Sequence, residues 1–139
     1  MNFSKLPHQE KIPKPWGYEI KFTPDTLGRT GKILHINAGK RNSLQYHDQK
    51  EETLCLVSGS AVLWLENEKG ELEKINMEPQ KGYTIVPNQK HRIEGVENAD
   101  VVEISSPEAG TTVRLEDDYK RTDETEEVRK QKNRGWNNN

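Results

Sequence analysis

Between residues 16 and 119 the chain runs as nine short stretches of strand character, and no internal segment carries a helical apolar stripe. Trp16, Tyr18, Ile20 and Phe22 alternate with Gly17, Glu19 and Lys21, the period of two of a half-buried strand. Further strands are expected at 32–37, 43–47, 53–58, 61–67, 71–77, 83–86, 91–94 and 100–105. Asn37-Ala38-Gly39, Ser58-Gly59, Glu68-Lys69-Gly70, Lys81-Gly82 and Gly95 separate them with turn chemistry. Many short strands at regular spacing imply an all-β sandwich or barrel.

Several of these strands are apolar on both faces. In 61–65, Ala61, Leu63 and Leu65 point one way while Val62 and Trp64 point the other. One face can fill a barrel, and the other calls for a second sheet or a second subunit; a homodimer is the expectation.

The ends differ from the middle. Residues 1–15 hold three prolines and little periodicity, so they read as an extended N-terminal arm. Residues 120–139 are charged, with Val128 and Trp136 their only large apolar side chains. That tail reads as flexible, or as a frayed helix with Glu126 and Lys130 at i,i+4 spacing. The fold is therefore assigned to residues 16–119.

Composition narrows the function. Leu, Ile, Val and Phe make up only 28 of 139 residues, but a net charge of −2 argues against global disorder. The near balance of charge also disfavours nucleic-acid or membrane partners. No apolar run is long enough to span a membrane and no signal peptide is visible, which predicts a soluble, cytoplasmic protein. One Cys excludes an internal disulfide and any multi-Cys metal site.

The residues that do not belong in a core carry the chemistry. Gln45 and His47 are two apart, so a strand points both to one side. Glu52 opens the next strand and can return to their neighbourhood, and His91 opens a later strand after Val86-Pro87-Asn88-Gln89-Lys90. Two imidazoles, one carboxylate and one amide oxygen suit a divalent first-row metal, with Zn first and Fe, Mn, Co or Ni as alternatives. One carboxylate against a dication leaves the site electrophilic and open to substrate.

These segments resemble the paired motifs of the cupin superfamily. Gly39, His47, Glu52 and Gly59 stand in register with the first motif, Gln45 replaces its first His, and Gly82, Pro87 and His91 correspond to the second. Ser43-Leu44-Gln45-Tyr46-His47 is similar to the type II phosphomannose isomerase group, as are Lys14-Pro15-Trp16-Gly17-Tyr18-Glu19 and the stretch Val113 to Arg121. The resemblance implies a double-stranded β-helix, a jelly-roll barrel with metal on Gln45, His47, Glu52 and His91. It also implies interconversion of mannose 6-phosphate and fructose 6-phosphate. The chain departs from that group at Lys50, where Arg is common, at Thr53-Leu54, where His-Trp is common, and in a short stretch before Val113.

The expected function is a metal-dependent sugar-phosphate isomerase with a sugar or sugar phosphate as its small-molecule partner. The metal would polarise the C1 and C2 oxygens, and a base would carry a proton between the carbons. Glu51, His35 and a hydroxide on the metal are open as that base. Lys50, Arg92 and Arg114 are the candidates to hold the phosphate, and Lys50, Arg92 and Glu51 the candidate catalytic groups. The alternatives are a non-enzymatic cupin that binds a sugar or small ligand, and a non-haem iron oxygenase built on His47, His91 and Glu52.

Other polar residues have plainer readings. His35 is expected to be a hydrogen-bonded structural His and His8 an exposed one. Cys55, among Leu54, Leu56 and Val57, reads as an inert thiol. Glu116, Asp117 and Asp118 read as a cap before a short final helix or turn, with Tyr119 packing back.

Overall fold

The structure is a computed structural model that describes residue 3 and residues 5–136. The first positions of the expected arm and Asn137, Asn138 and Asn139 of the expected tail lie outside the described residues. Eleven strands form two antiparallel sheets. One sheet has the order β1 (Glu10–Lys14), β2 (Gly17–Lys21), β3 (Thr30–Ile36), β10 (Ala99–Ser105), β5 (Glu52–Ser58) and β8 (Gly82–Ile85). The other runs β11 (Thr112–Glu116), β4 (Leu44–His47), β9 (His91–Gly95), β6 (Ala61–Glu66) and β7 (Leu72–Asn76). This is the expected jelly-roll barrel, and no helix among the described residues is long and apolar enough to cross a membrane.

Alternation decides what enters the barrel. On β5 the buried positions are Glu52, Leu54 and Leu56, on β10 Ala99, Val101, Glu103 and Ser105, and on β9 His91, Ile93 and Gly95 together with Arg92, which is buried on the other face. The interior therefore divides along its length. One half is a hydrophobic cluster of Leu34, Ile36, Leu54, Leu56, Leu63, Ile85, Ile93 and Val101, with Trp16 packed into it. Each such buried aliphatic side chain contributes about 1.5–3 kcal/mol. The other half is polar and holds Glu19, Lys32, His47, Lys50, Glu52, His91 and Glu103.

Tight turns keep the strands in register. Gly59, between β5 and β6, has φ +77, and a Cβ there would collide with the Asn98 carbonyl. Only a residue without a side chain fits that close approach.

Both chain ends differ from the sequence reading. The last residues of the arm form β1, an edge strand paired with β2 from Glu10↔Lys21 to Lys14↔Gly17; Pro13 is tolerated because edge strands can spare a donor. The tail folds back as well. Thr112 and Glu124 exchange two backbone hydrogen bonds of 2.9 Å. Thr125 caps α1 (Glu126–Arg129) by accepting from the Val128 amide. A 3₁₀ turn, Arg134–Trp136, buries Arg134 and Gly135 while Trp136 stays exposed. Ion pairs do this docking, so a search for apolar periodicity does not see it. Asp117 binds Arg121 at 2.9 and 3.0 Å, Asp118 binds Arg41, and Tyr119 packs against the core.

Candidate metal centre

The polar half of the barrel encloses a cavity of about 60 Å³ lined by Gln45, His47, Lys50, Glu52, Glu103, His91 and Arg114, among others. Three strands bring the metal-ligand candidates there. Gln45 on β4 lies directly across from His91 on β9. His47 follows two residues later on β4, and Glu52 enters from β5 in the opposite sheet. One donor atom each of His47, Glu52 and His91 lies within 4.8 Å of the others.

Hydrogen bonds on the far side of each ring set which nitrogen faces inward. The His91 Nδ1–H donates to the Gln89 carbonyl at 2.9 Å, and a carbonyl can only accept. The Nε2 of a neutral His91 therefore carries a bare lone pair. His47 Nδ1 lies 2.8 Å from Thr112 Oγ1, so its Nε2 is likewise turned inward. Both Nε2 atoms are buried without a hydrogen-bond partner, and they stand 3.5 and 3.1 Å from Glu52 Oε1. Buried polar atoms are normally satisfied, so two orphaned nitrogens facing one carboxylate oxygen fit a divalent cation. Gln45 lines the same cavity, with Oε1 accepting from the Ser43 hydroxyl at 2.6 Å.

Electrostatics suit the same role. Burial, with the Lys50 charge adding to it, lowers the His47 pKa to about 4 against the opposing pull of Glu52. That imidazole is uncharged at neutral pH. Burial opposes the Glu52 charge, but the Lys50 ammonium holds its carboxyl well below the usual range. Neutral imidazole and ionised carboxylate are the forms that ligate a metal.

Lys50 bridges Glu52 at 3.3 Å and Glu103 at 3.2 Å. Burial works against its ammonium, but those two carboxylates raise its pKa above the ordinary lysine value. Glu103 behaves in the opposite way. Burial pushes its carboxyl up to about 7, with Lys50 opposing the shift and Glu52 adding to it. Sequence reading missed Glu103, although the alternation of Asp100 to Ser105 places a carboxylate on the same side as Val101; an acid at an inward strand position was the available signal.

The structure places the other candidates less favourably. Glu51 is exposed and outside the cavity lining, because it precedes inward-facing Glu52 by one residue. Its candidacy as base is withdrawn on that ground. Arg92 is buried but points away from the cavity for the same reason of alternation. It pairs in register with Trp64, sits 5.4 Å from that ring and donates to the Asn42 carbonyl at 3.1 Å. A phosphate in the barrel is out of its reach. His35 is on the outer face, stacked on Tyr18 at 4.7 Å and held by Asp100 at 2.7 Å, which excludes it as a base inside. Arg114 does line the cavity, as does Lys50.

The lining holds five cations (Lys14, Lys32, Lys50, Arg114 and Arg121) and five carboxylates (Glu19, Glu52, Glu103, Glu108 and Glu124). The protein alone is balanced there, so a bound dication would leave a net positive interior.

No family model and no curated protein matches the chain. Solved structures with the same fold do match. The oxalate decarboxylase of Bacillus subtilis superposes with a TM-score of 0.69 at 16% identity, over 83% of this chain and 33% of that one. The formate complex of the Lactobacillus farciminis oxalate decarboxylase gives 0.68 at 15% identity, over 83% and 37%. KdgF from Halomonas sp. gives 0.61 at 16% identity, over 73% and 89%. The chain thus spans about a third of the oxalate decarboxylases, and the likeness establishes the cupin fold. The Bacillus enzyme has Mn(II) centres.

Proposed function

We propose that this chain is a metal-dependent cupin enzyme that isomerises a sugar phosphate, of the mannose 6-phosphate/fructose 6-phosphate type. The observation that carries the reading is the placement of Glu103, a buried carboxyl whose pKa burial raises, 3.2 Å from Lys50 and in one cavity with His47, Glu52 and His91. A proton carrier works best when its pKa lies near the working pH.

His47, Glu52 and His91 would hold the metal, with Gln45 as a fourth donor. A divalent metal supplies Lewis-acid polarisation of the sugar's C1 and C2 oxygens. Glu103 takes the proton from C2 of the aldose and returns it to C1. The proton that the C2 hydroxyl gives up passes to the C1 oxygen, so the C1 carbonyl becomes a hydroxyl and the C2 hydroxyl a carbonyl, and atoms and electrons balance within the substrate. Lys50 keeps Glu103 oriented through their 3.2 Å contact.

A second reading rests on size. Typical pockets for organic ligands measure about 300–1,000 Å³, against about 60 Å³ here. A smaller ligand held without turnover fits that volume directly, whereas the isomerase reading requires the cavity to widen by side-chain movement for entry.

The deciding experiment incubates Zn- or Mn-loaded protein with each sugar phosphate and follows interconversion together with deuterium uptake at C1 and C2. Interconversion that falls at least a hundredfold in Glu103→Gln, at unchanged metal content, is expected. Binding of the sugar phosphate with no interconversion selects the second reading.

A further inference from the structure

In the lining of the same cavity, where Arg114 on β11 pairs across from Gln45 on β4, two cations share one oxygen. Lys14 Nζ on β1 stands 3.7 Å from Glu124 Oε2, and Arg114 Nη2 on β11 stands 3.5 Å from the same atom. Among the described residues, Glu124 is the only carboxylate within 4 Å of either. Its other oxygen is engaged elsewhere, by Arg129 at 3.1 Å and Arg134 at 3.4 Å. Arg129 and Arg134 also pair with Glu108, and Arg134 with Glu19, whereas Lys14 and Arg114 share the single Glu124 oxygen. Both inner contacts are longer than a charge-assisted hydrogen bond of about 2.7–2.9 Å.

The shortfall is visible on Arg114. Its side chain is 6% exposed, its Nη1 donates to the Thr122 carbonyl, and its Nε has no partner. A buried guanidinium N–H without an acceptor is costly. Lys14, with 5% of its side chain exposed, has no second ion-pair partner among the described residues. At this corner two cations face one shared carboxylate oxygen, and one guanidinium N–H lacks an acceptor.

We propose that Lys14 and Arg114 form a subsite for the phosphate group of the substrate, and that the Glu124 carboxylate is its built-in occupant, displaced when phosphate binds. The word substrate here rests on the isomerase reading; the phosphate subsite does not. Paired backbone hydrogen bonds to Thr112 hold the Glu124 main chain in place, so a side-chain rotation toward Arg129 and Arg134 suffices to vacate the two inner cations. A tetrahedral dianion offers Arg114 two acceptor oxygens, which reach Nη2 and the orphaned Nε together, and leaves a third for Lys14.

The test uses the full chain, metal-free and metal-loaded, at constant ionic strength. Inorganic phosphate is titrated while the Arg114 Nε–H resonance, assigned through Arg114→Lys, is followed by NMR. A saturable shift of that resonance is expected. Phosphate affinity should fall at least tenfold in Arg114→Gln and rise about tenfold in Glu124→Gln. A resonance that phosphate does not move, or acetate shifting it with the same affinity, overturns the proposal, and the wild-type titration decides even if Glu124→Gln does not fold. Phosphate binding without sugar turnover would leave this subsite standing and remove only the isomerase. Turnover without a shift would do the reverse.

Discussion

His91 Nε2 stands 3.1 Å from Glu52 Oε1, both atoms buried. With Nδ1–H committed to the Gln89 carbonyl, a neutral His91 turns a lone pair on a carboxylate oxygen. Two acceptors at that distance repel in a low-dielectric interior. The arrangement calls for a cation between them, and His47 Nε2 supplies a third donor to the same point.

Metal binding should therefore stabilise the fold. At a free concentration a hundred times Kd, a ligand that binds only the native state adds about 2.7 kcal/mol. Thermal melts of chelated protein against Zn- or Mn-loaded protein should differ by several degrees. Identical melts with and without metal would contradict a native metal site.

In the metal-free protein, His47 contributes a pH dependence of known sign. Its folded pKa of about 4 lies below the unfolded value of 6.5. The associated stability is fully present above pH 6.5 and is lost as pH falls from there to about 4. The stability difference between wild type and His47→Gln, from urea titrations at a series of pH values, should be flat above 6.5. Below that it should shrink by on the order of 3 kcal/mol. A difference that stays constant down to pH 4 would show His47 to be ordinarily solvated.

Lys50 holds two buried carboxylates, Glu52 and Glu103. Lys50→Met removes that charge and should cost about 3–5 kcal/mol, the usual result of leaving buried charge unpaired. Exposed Lys81→Met, measured in the same denaturant series, should change stability by less than about 0.5 kcal/mol. A near-neutral Lys50→Met would mean that the polar half of the barrel is wetter than its burial indicates.

The apolar half can be loosened separately. Leu63 has no exposed surface, and Leu63→Ala should cost about 2–5 kcal/mol through the cavity it leaves. Since Leu63 lies outside the ligand-bearing half, metal stoichiometry in the folded fraction should be unchanged. Metal loss in parallel with stability would show that the two halves are not independent.

Much of this was legible in the sequence, and for one reason: strand period. Gln45 and His47, spaced by two, had to share a side, and Glu52, Leu54 and Leu56 had to share another. All nine anticipated stretches overlap observed strands. The same period, applied strictly, would have removed Glu51 and Arg92, each one residue from an inward ligand, and would have found Glu103 beside Val101. β1 and β11 escaped because proline in the first and charge in the second mask alternation. The docking of Glu124 and Arg134 left no sequence signal, since their partners Lys14 and Glu19 are chosen by tertiary placement.

The most direct measurement is elemental analysis of purified protein, wild type beside His91→Ala, with Cys55→Ala as a control for substitution itself. The account predicts one divalent transition metal per chain in wild type and in Cys55→Ala, and loss of that stoichiometry in His91→Ala. Metal-free wild type after growth and purification with metal supplied, or full metal retained in His91→Ala, would contradict it.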